Sequence, residues 1–251
     1  MEETPLEVPA RLIRPVRQGN AFEETIERLL QHIKLGLFGV GEKLPAEREL
    51  SDLLGVSRTT LRDALAELQK AGYVEVRRGR SGGTYVAERR LAGLGGAADL
   101  DPAEVNDVLT FRAVLEPAAA SLAAKAMLSP RQRRHLLDSL SDVAAAPVEL
   151  YRPKDARFHV AIAEVTGSPS LVAAVADTRA RVSDLLDRIP FLEPNLEHSN
   201  RQHQDIVDAI LRGDAEGAYE ATLDHLQGTA SLLHGFLVSA ESPPAAASGA
   251  P

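Results

Sequence analysis

Cysteine is absent from the 251 residues. That excludes disulfides and thiolate metal sites and suits a cytoplasmic protein. No apolar run approaches the roughly 18 residues of a membrane span, and the acidic N-terminus lacks a signal-peptide pattern, so the reading is cytoplasmic with no membrane partner. Positive charge is also short, with a net charge of −8. Evenly spread, that deficit would argue against nucleic acid as a partner. It is not evenly spread. From Arg11 to Arg90 there are 15 Lys/Arg against 11 Asp/Glu, whereas from Leu91 onward there are 13 against 22. A basic head on an acidic body is the distribution expected of a DNA reader with a separate second domain, and the length suffices for two cores.

Leu44 to Val86 organises the basic half. Pro45 is placed to open a helix, because its missing N–H would go unpaired in the first turn anyway. Leu50, Leu53 and Leu54 follow at helical spacing, and Leu54-Gly55-Val56 reads as a tight turn. Ser57 is an N-cap for a second helix with Leu61, Ala64, Leu65 and Leu68 on one face and Arg58 and Arg62 on another. Lys70-Ala71-Gly72 ends that helix as a cation and a C-terminal glycine should. Tyr73 to Val76 and Thr84 to Val86 read as strands around a basic, glycine-rich turn. The pattern is a winged helix-turn-helix. Arginines on a solvated face are the bland alternative. It weakens because Arg48, Arg58, Arg62, Arg77, Arg78 and Arg80 fall where a groove-reading helix and its wing need them.

The domain boundaries read from the sequence are a flexible arm at 1–19, the DNA-binding domain at 20–88, a linker at 89–100, an all-helical domain at 101–240 and a disordered tail at 241–251. Asn20 caps a supporting helix to about Leu35, with Phe22, Ile26, Leu29, Leu30 and Ile33 inward. After Asp101 strand signals are lacking. Asp101-Pro102, Ser129-Pro130, Pro147 or Pro153, Ser168-Pro169, Pro194 and Asp214 each start a helix, giving six antiparallel helices with a seventh short segment near 147–153. The fold class is therefore mostly α: a winged helix-turn-helix plus a six- or seven-helix bundle.

Asp155 and His159, four apart, share a face of the third bundle helix, His203 lies on the fifth and His225 on the sixth. One carboxylate and three imidazoles on facing helices suit Zn²⁺, or Ni²⁺ or Mn²⁺. Spacing alone leaves the alternative open, because seven histidines produce some acid–His pair at i,i+4 by chance.

Leu44-Pro45-Ala46-Glu47-Arg48-Glu49-Leu50, Gly55-Val56-Ser57-Arg58-Thr59-Thr60-Leu61-Arg62 and Ala71-Gly72-Tyr73-Val74 resemble the DNA-binding domain of GntR-family bacterial transcription regulators, of the FadR-type branch. The resemblance implies that Arg48, Arg58 and Arg62 contact bases or phosphates, that Thr59 and Thr60 assist, and that Arg78 and Gly79 lie on the wing. Arg112-Ala113-Val114-Leu115-Glu116, Asp155-x-x-Phe158-His159, His203-x-x-Ile206-x-x-Ala209-Ile210-x-x-Gly213-Asp214 and His225-Leu226 resemble the FCD ligand-binding domain. That resemblance implies that Asp155, His159, His203 and His225 hold a divalent ion, usually zinc, in the manner of lactate-responsive regulators. It further implies a small carboxylate effector beside the ion, with Arg112 as its partner and Asn200 as a weaker contact. Arg112 reads equally well as the i,i+4 partner of Glu116. Two positions depart from the family pattern: Ser168 stands where Asn is frequent, and Gln202 where Glu frequently precedes His203.

The function read from these features is a homodimeric regulator, a repressor by expectation, on a pseudo-palindromic double-stranded operator. A metal-sensing regulator, an acyl-CoA-responsive one and a metallohydrolase are the alternatives. No general base near the metal is identifiable, and a hydrolase would not explain the basic wing, so the chain is not read as an enzyme.

Overall fold

The computed structural model describes residues 19–34, 37–79, 82–87 and 101–238. Arg80, the arm to residue 18, the linker and the tail from residue 239 lie outside the described residues. The chain divides into two compact units, residues 1–98 with 234–251, and residues 99–233.

In the first unit, α1 (Ala21–Lys34), α2 (Glu47–Leu54) and α3 (Arg58–Lys70) precede the wing strands β1 (Val74–Arg77) and β2 (Gly83–Val86). Ile26, Leu29, Leu30 and Ile33 of α1 are buried together with Leu50, Leu54, Leu61, Ala64 and Leu68, as the 3.6-residue period requires. Gly55, at φ 69°, closes α2 in the left-handed region, where a Cβ would be strained. Ser57 caps α3 by accepting from the Thr60 amide. The strands pair antiparallel in the register Val74↔Val86 to Arg77↔Gly83. One expectation needs correcting: α2 starts at Glu47, and Pro45 lies outside it, because Ala46 is still extended at ψ 143°.

The bundle helices are α4 (Pro102–Lys125), α5 (Pro130–Ala144), α6 (Val148–Val165), α7 (Pro169–Leu186), α8 (Leu196–Arg212) and α9 (Ala215–Leu237). Asp101, Ser129 and Ser168 cap α4, α5 and α7 with their side chains. Ser168 is thus a helix cap, a role that Ser and Asn fill equally well. Helix α6 runs unbroken through Pro153, so a separate seventh segment does not form. Pro153 forgoes one bond to a carbonyl four residues back, and burial of Tyr151 and Phe158 on either side outweighs the loss. A 3-10 turn, Glu193–Asn195, takes up Pro194 before α8. Leu136, Phe158, Ile162, Ile206, Val207 and Ile210 form the centre of the core.

The last turn of α9 belongs to the first unit. The C-terminal carbonyls of a helix lack partners within it. Here Lys34 Nζ donates to the carbonyls of Gly235, Phe236 and Val238 at 2.7, 3.3 and 3.0 Å. Burial lowers the Lys34 pKa to about 8. A Cβ at Gly235 would lie 2.9 Å from Glu27 Cα, so glycine permits this close approach.

Candidate metal centre and nucleic-acid interface

Arg58 opens α3, beside the amides of its first turn, where an anion is favoured. Arg48, Arg58, Thr59, Arg62, Arg78 and Gly79 are all exposed. Arg62 Nη2 pairs with Glu47 Oε2 at 3.1 Å, and Thr60 Oγ1 lies 2.8 Å from Ser57 Oγ, so Thr60 is part of the cap. In the wing, the Arg77 guanidinium stacks 4.2 Å from the Tyr85 ring centroid and pairs with Glu75. Gly79, at φ 107°, turns the chain where a Cβ would meet open space.

In the second unit, Asp155, His159, His203 and His225 each offer a ligand atom, and these four atoms lie within 4.8 Å of one another. His225 Nε2 is 3.2 Å from both His159 Nε2 and His203 Nε2. Asp155 Oδ1 is 3.1 Å from His203 Nε2 and 3.9 Å from His159 Nε2. Helices α6, α8 and α9 supply these donors, and Phe158 packs its ring 4.5 Å from that of His203.

Around the donors stands a charged shell that the sequence reading largely missed. Glu116 Oε2 accepts from His159 Nδ1 at 3.0 Å and from Arg179 Nη2, while Glu116 Oε1 accepts from Arg112 Nε at 3.1 Å. Arg179 Nη1 also donates to Asp155 Oδ2 at 3.1 Å. Gln202 Oε1 lies 3.2 Å from His225 Nδ1, and Gln202 Nε2 donates to Asp224 Oδ2 at 3.0 Å. Arg112 therefore makes the i,i+4 pair with Glu116, and Asn200 accepts from the Tyr151 hydroxyl at 2.9 Å. In the sequence Glu116 is marked by its spacing from Arg112 and by closing the Arg112–Glu116 motif, whereas Arg179, in mid-helix, carries no mark.

Burial, aided by the Arg179 charge, pushes His159 down to about 4. Burial, followed by the neighbouring imidazoles of His203 and His159, holds His225 well below its usual value. Burial works to raise Asp155, but the His203 hydrogen bond and the Arg179 charge outweigh it, leaving the carboxyl well below its usual range. The same contest, with Arg179 and Arg112 as the cations, keeps Glu116 ionised. Neutral imidazoles beside ionised carboxylates are the protonation states that ligate metal. A pH prediction follows for the metal-free protein. Between pH about 6.5 and 4 the unfolded chain binds protons that folded His159 and His225 refuse, so stability falls as pH falls through that window. Melting temperature should drop from pH 7 to pH 5; a rise would contradict these burial effects.

Next to Asp155 and His225 lies a cavity of about 80 Å³, lined also by Tyr151, Ser199, Leu192 and Leu232. Arg112 and Asn200 are not among its lining residues.

A winged helix-turn-helix with outward arginines, in one chain with a helical bundle that brings together an Asp/His₃ cluster, defines a two-domain class of DNA reader. Residues 22–86 match the family described as "Bacterial regulatory proteins, gntR family", and residues 107–228 match the FCD domain. The chain is 30% identical to a Mycobacterium gastri protein named for an HTH-type transcriptional regulator, RmpR, covering 97% of this chain and 93% of that one. It is 30% identical, with 90% of each chain covered, to an Escherichia coli K12 protein named for regulation of the L-lactate dehydrogenase operon. It is 31% identical to the HTH-type transcriptional repressor NanR of Enterobacter sp. strain 638, with 89% of each covered. Among solved structures, a Streptococcus agalactiae GntR protein aligns over 83% of this chain and 98% of its own, at 26% identity and a TM-score of 0.43. The chain belongs to the GntR family. It is a DNA-binding transcription regulator of the GntR/FCD type, and not an enzyme. No helix among the described residues is long and apolar enough to cross a membrane.

Proposed function

We propose that this regulator is a cytoplasmic homodimer that represses from a pseudo-palindromic operator. It holds one divalent ion, Zn²⁺ first, through Asp155, His159, His203 and His225, and it leaves DNA when a small carboxylate docks beside that ion. One observation carries the metal reading. A carboxylate only accepts hydrogen bonds, so Glu116 requires the proton of His159 to sit on Nδ1. Asp224 takes the Gln202 amide N–H, which turns Gln202 Oε1 toward His225 and requires a proton on His225 Nδ1 as well. The two Nε2 atoms then face each other with lone pairs at 3.2 Å. That arrangement is repulsive unless a cation is shared between them. Such outer partners orient metal-ligating histidines generally. Gln202 thus contacts His225 directly and is itself oriented by Asp224, at a position where the family pattern frequently has Glu.

Charge supports an anionic effector. Arg112 and Arg179 offset Glu116 and Asp155, so a divalent ion would leave the cluster at about +2, and a buried excess of that size demands an anion. Arg112 Nη1 and Arg179 Nε are buried without a partner, although neither residue lines the cavity beside Asp155 and His225. When bound, the ion would supply a Lewis-acidic attachment point for a carboxylate oxygen. The effector class is a small hydroxy- or keto-carboxylate, lactate-like first and sugar-acid-like second. The test is operator affinity, with and without chelator, across a panel of small carboxylates with long-chain acyl-CoA as comparison. Release by short hydroxy- or keto-acids only in the metal-loaded protein is expected; a response to acyl-CoA alone, indifferent to chelation, overturns the effector reading.

The dimer reading is supported by an apolar stripe on α4, where Phe111, Val114 and Leu122 are 46%, 65% and 49% exposed at spacings that share one helix face. Val114→Glu should shift sedimentation toward monomer and weaken operator binding, since one head contacts only a half-site. An unchanged dimer would move the interface elsewhere.

A further inference from the structure

The Asp155 carboxylate is held from two sides. Its Oδ1 faces His203 Nε2 at 3.1 Å, among the imidazoles, while its Oδ2 is taken by Arg179 Nη1 at 3.1 Å. The other prong of Arg179 is bound to Glu116, which is itself fixed by Arg112 Nε and His159 Nδ1. A guanidinium is planar with its donors in a rigid fork. Arg179 cannot rotate to free Oδ2 without also releasing Glu116, and at 3% exposure neither group has water to fall back on. Arg179 comes from α7, a helix that supplies none of the four donors.

We propose that Arg179 is a positioning residue that restricts Asp155 to a single ligating oxygen and so reserves room at the ion for an exogenous anion. Three imidazole nitrogens and one carboxylate oxygen make four donors. Zinc and its neighbours accept a fifth or sixth. A second oxygen from Asp155 would occupy the position the effector needs. The guanidinium thus keeps the ion accessible by withholding Oδ2 from it, and the contact with Glu116 keeps the guanidinium in place. This inference rests on the metal reading above and would fall with it.

The test uses the full chain loaded with Co²⁺ and azide as the anion probe. The wild type should take up about one ion per chain and show an azide-dependent charge-transfer band. In Arg179→Lys, and in Arg179→Gln, which keeps a donor without the charge, Co²⁺ should still bind. The visible spectrum should change as Oδ2 joins the ion, and azide affinity should fall at least tenfold. Arg181→Lys, at an exposed arginine paired with Asp107, should behave as wild type. Wild-type azide affinity and an unchanged spectrum in both Arg179 variants overturn the proposal and leave the metal reading standing. A wild type that takes up no ion overturns both. Should the variants fail to fold, X-ray absorption of the zinc-loaded wild type decides through the metal-to-carboxylate-carbon distance. One-oxygen binding by Asp155 supports the clamp, and two-oxygen binding overturns it.

Discussion

His225→Ala and His203→Ala should each abolish stoichiometric metal in protein prepared without chelator. Both imidazoles are within 5% of full burial, and each contributes an Nε2 to a cluster whose four ligand atoms span 4.8 Å. Removing an outer partner of a ligand costs roughly 10–100-fold in metal affinity; removing the ligand itself should exceed that range. The same loss should register in stability. An ion present at 1,000 times its dissociation constant stabilises the folded state by about 4 kcal/mol. Chelation should therefore lower the melting temperature of the wild type and leave that of His225→Ala unmoved. Gln202→Ala should fall between, because His225 keeps its Nε2 but loses the acceptor at Nδ1. Metal analysis and paired melts with and without chelator check this. A His225→Ala protein carrying one ion per chain would sink the assignment of donors.

On DNA, Arg58→Ala and Arg62→Ala should each weaken cognate operator binding by about 1–3 kcal/mol and relax specificity if they read bases. Arg58 stands at the N-terminus of α3, the end of a recognition helix that reaches base edges. Arg62 is occupied by Glu47 across an exposed pair. Such pairs contribute about 0–1 kcal/mol, so DNA can displace Glu47 at small cost, and Glu47→Ala should tighten binding modestly. Arg78→Ala, on the wing, should weaken all sequences evenly and reduce the salt slope by about 1. Fluorescence anisotropy with operator and scrambled duplexes at several salt concentrations separates the outcomes. Operator affinity unchanged in both α3 variants would show that this face does not read DNA.

Features set by a few neighbouring residues are legible in the sequence, and features set by packing are not. Helix starts at Asp101, Ser129 and Ser168 are legible because a cap is a contact within three residues, and Gly55 and Gly72, both found at positive φ, stand at helix ends that the residue type signals. The arginines of α3 and the wing were legible because a helix face and a strand pair are set by periods of 3.6 and 2. Pro153 did not end its helix, because a proline disfavours a helix interior only by an amount that burial of neighbours such as Tyr151 can exceed, while Pro45 stands one residue ahead of the extended Ala46 that precedes α2.

For the candidate metal cluster, the sequence by itself determined the residue types and one pair, Asp155 and His159, placed on one face by helical spacing. That His203 and His225 join them rested on resemblance until packing of α6, α8 and α9 brought their Nε2 atoms to 3.2 Å. The supporting shell was decided by tertiary structure alone. Glu116 and Arg179 are 63 residues apart, and no local propensity signals that they will meet. Gln202 could be noted as a departure, yet only its place between His225 and Asp224 shows what it does. Local signals act over one helical turn, whereas a buried charge finds its partners through the packing of whole helices, which depends on all their faces at once.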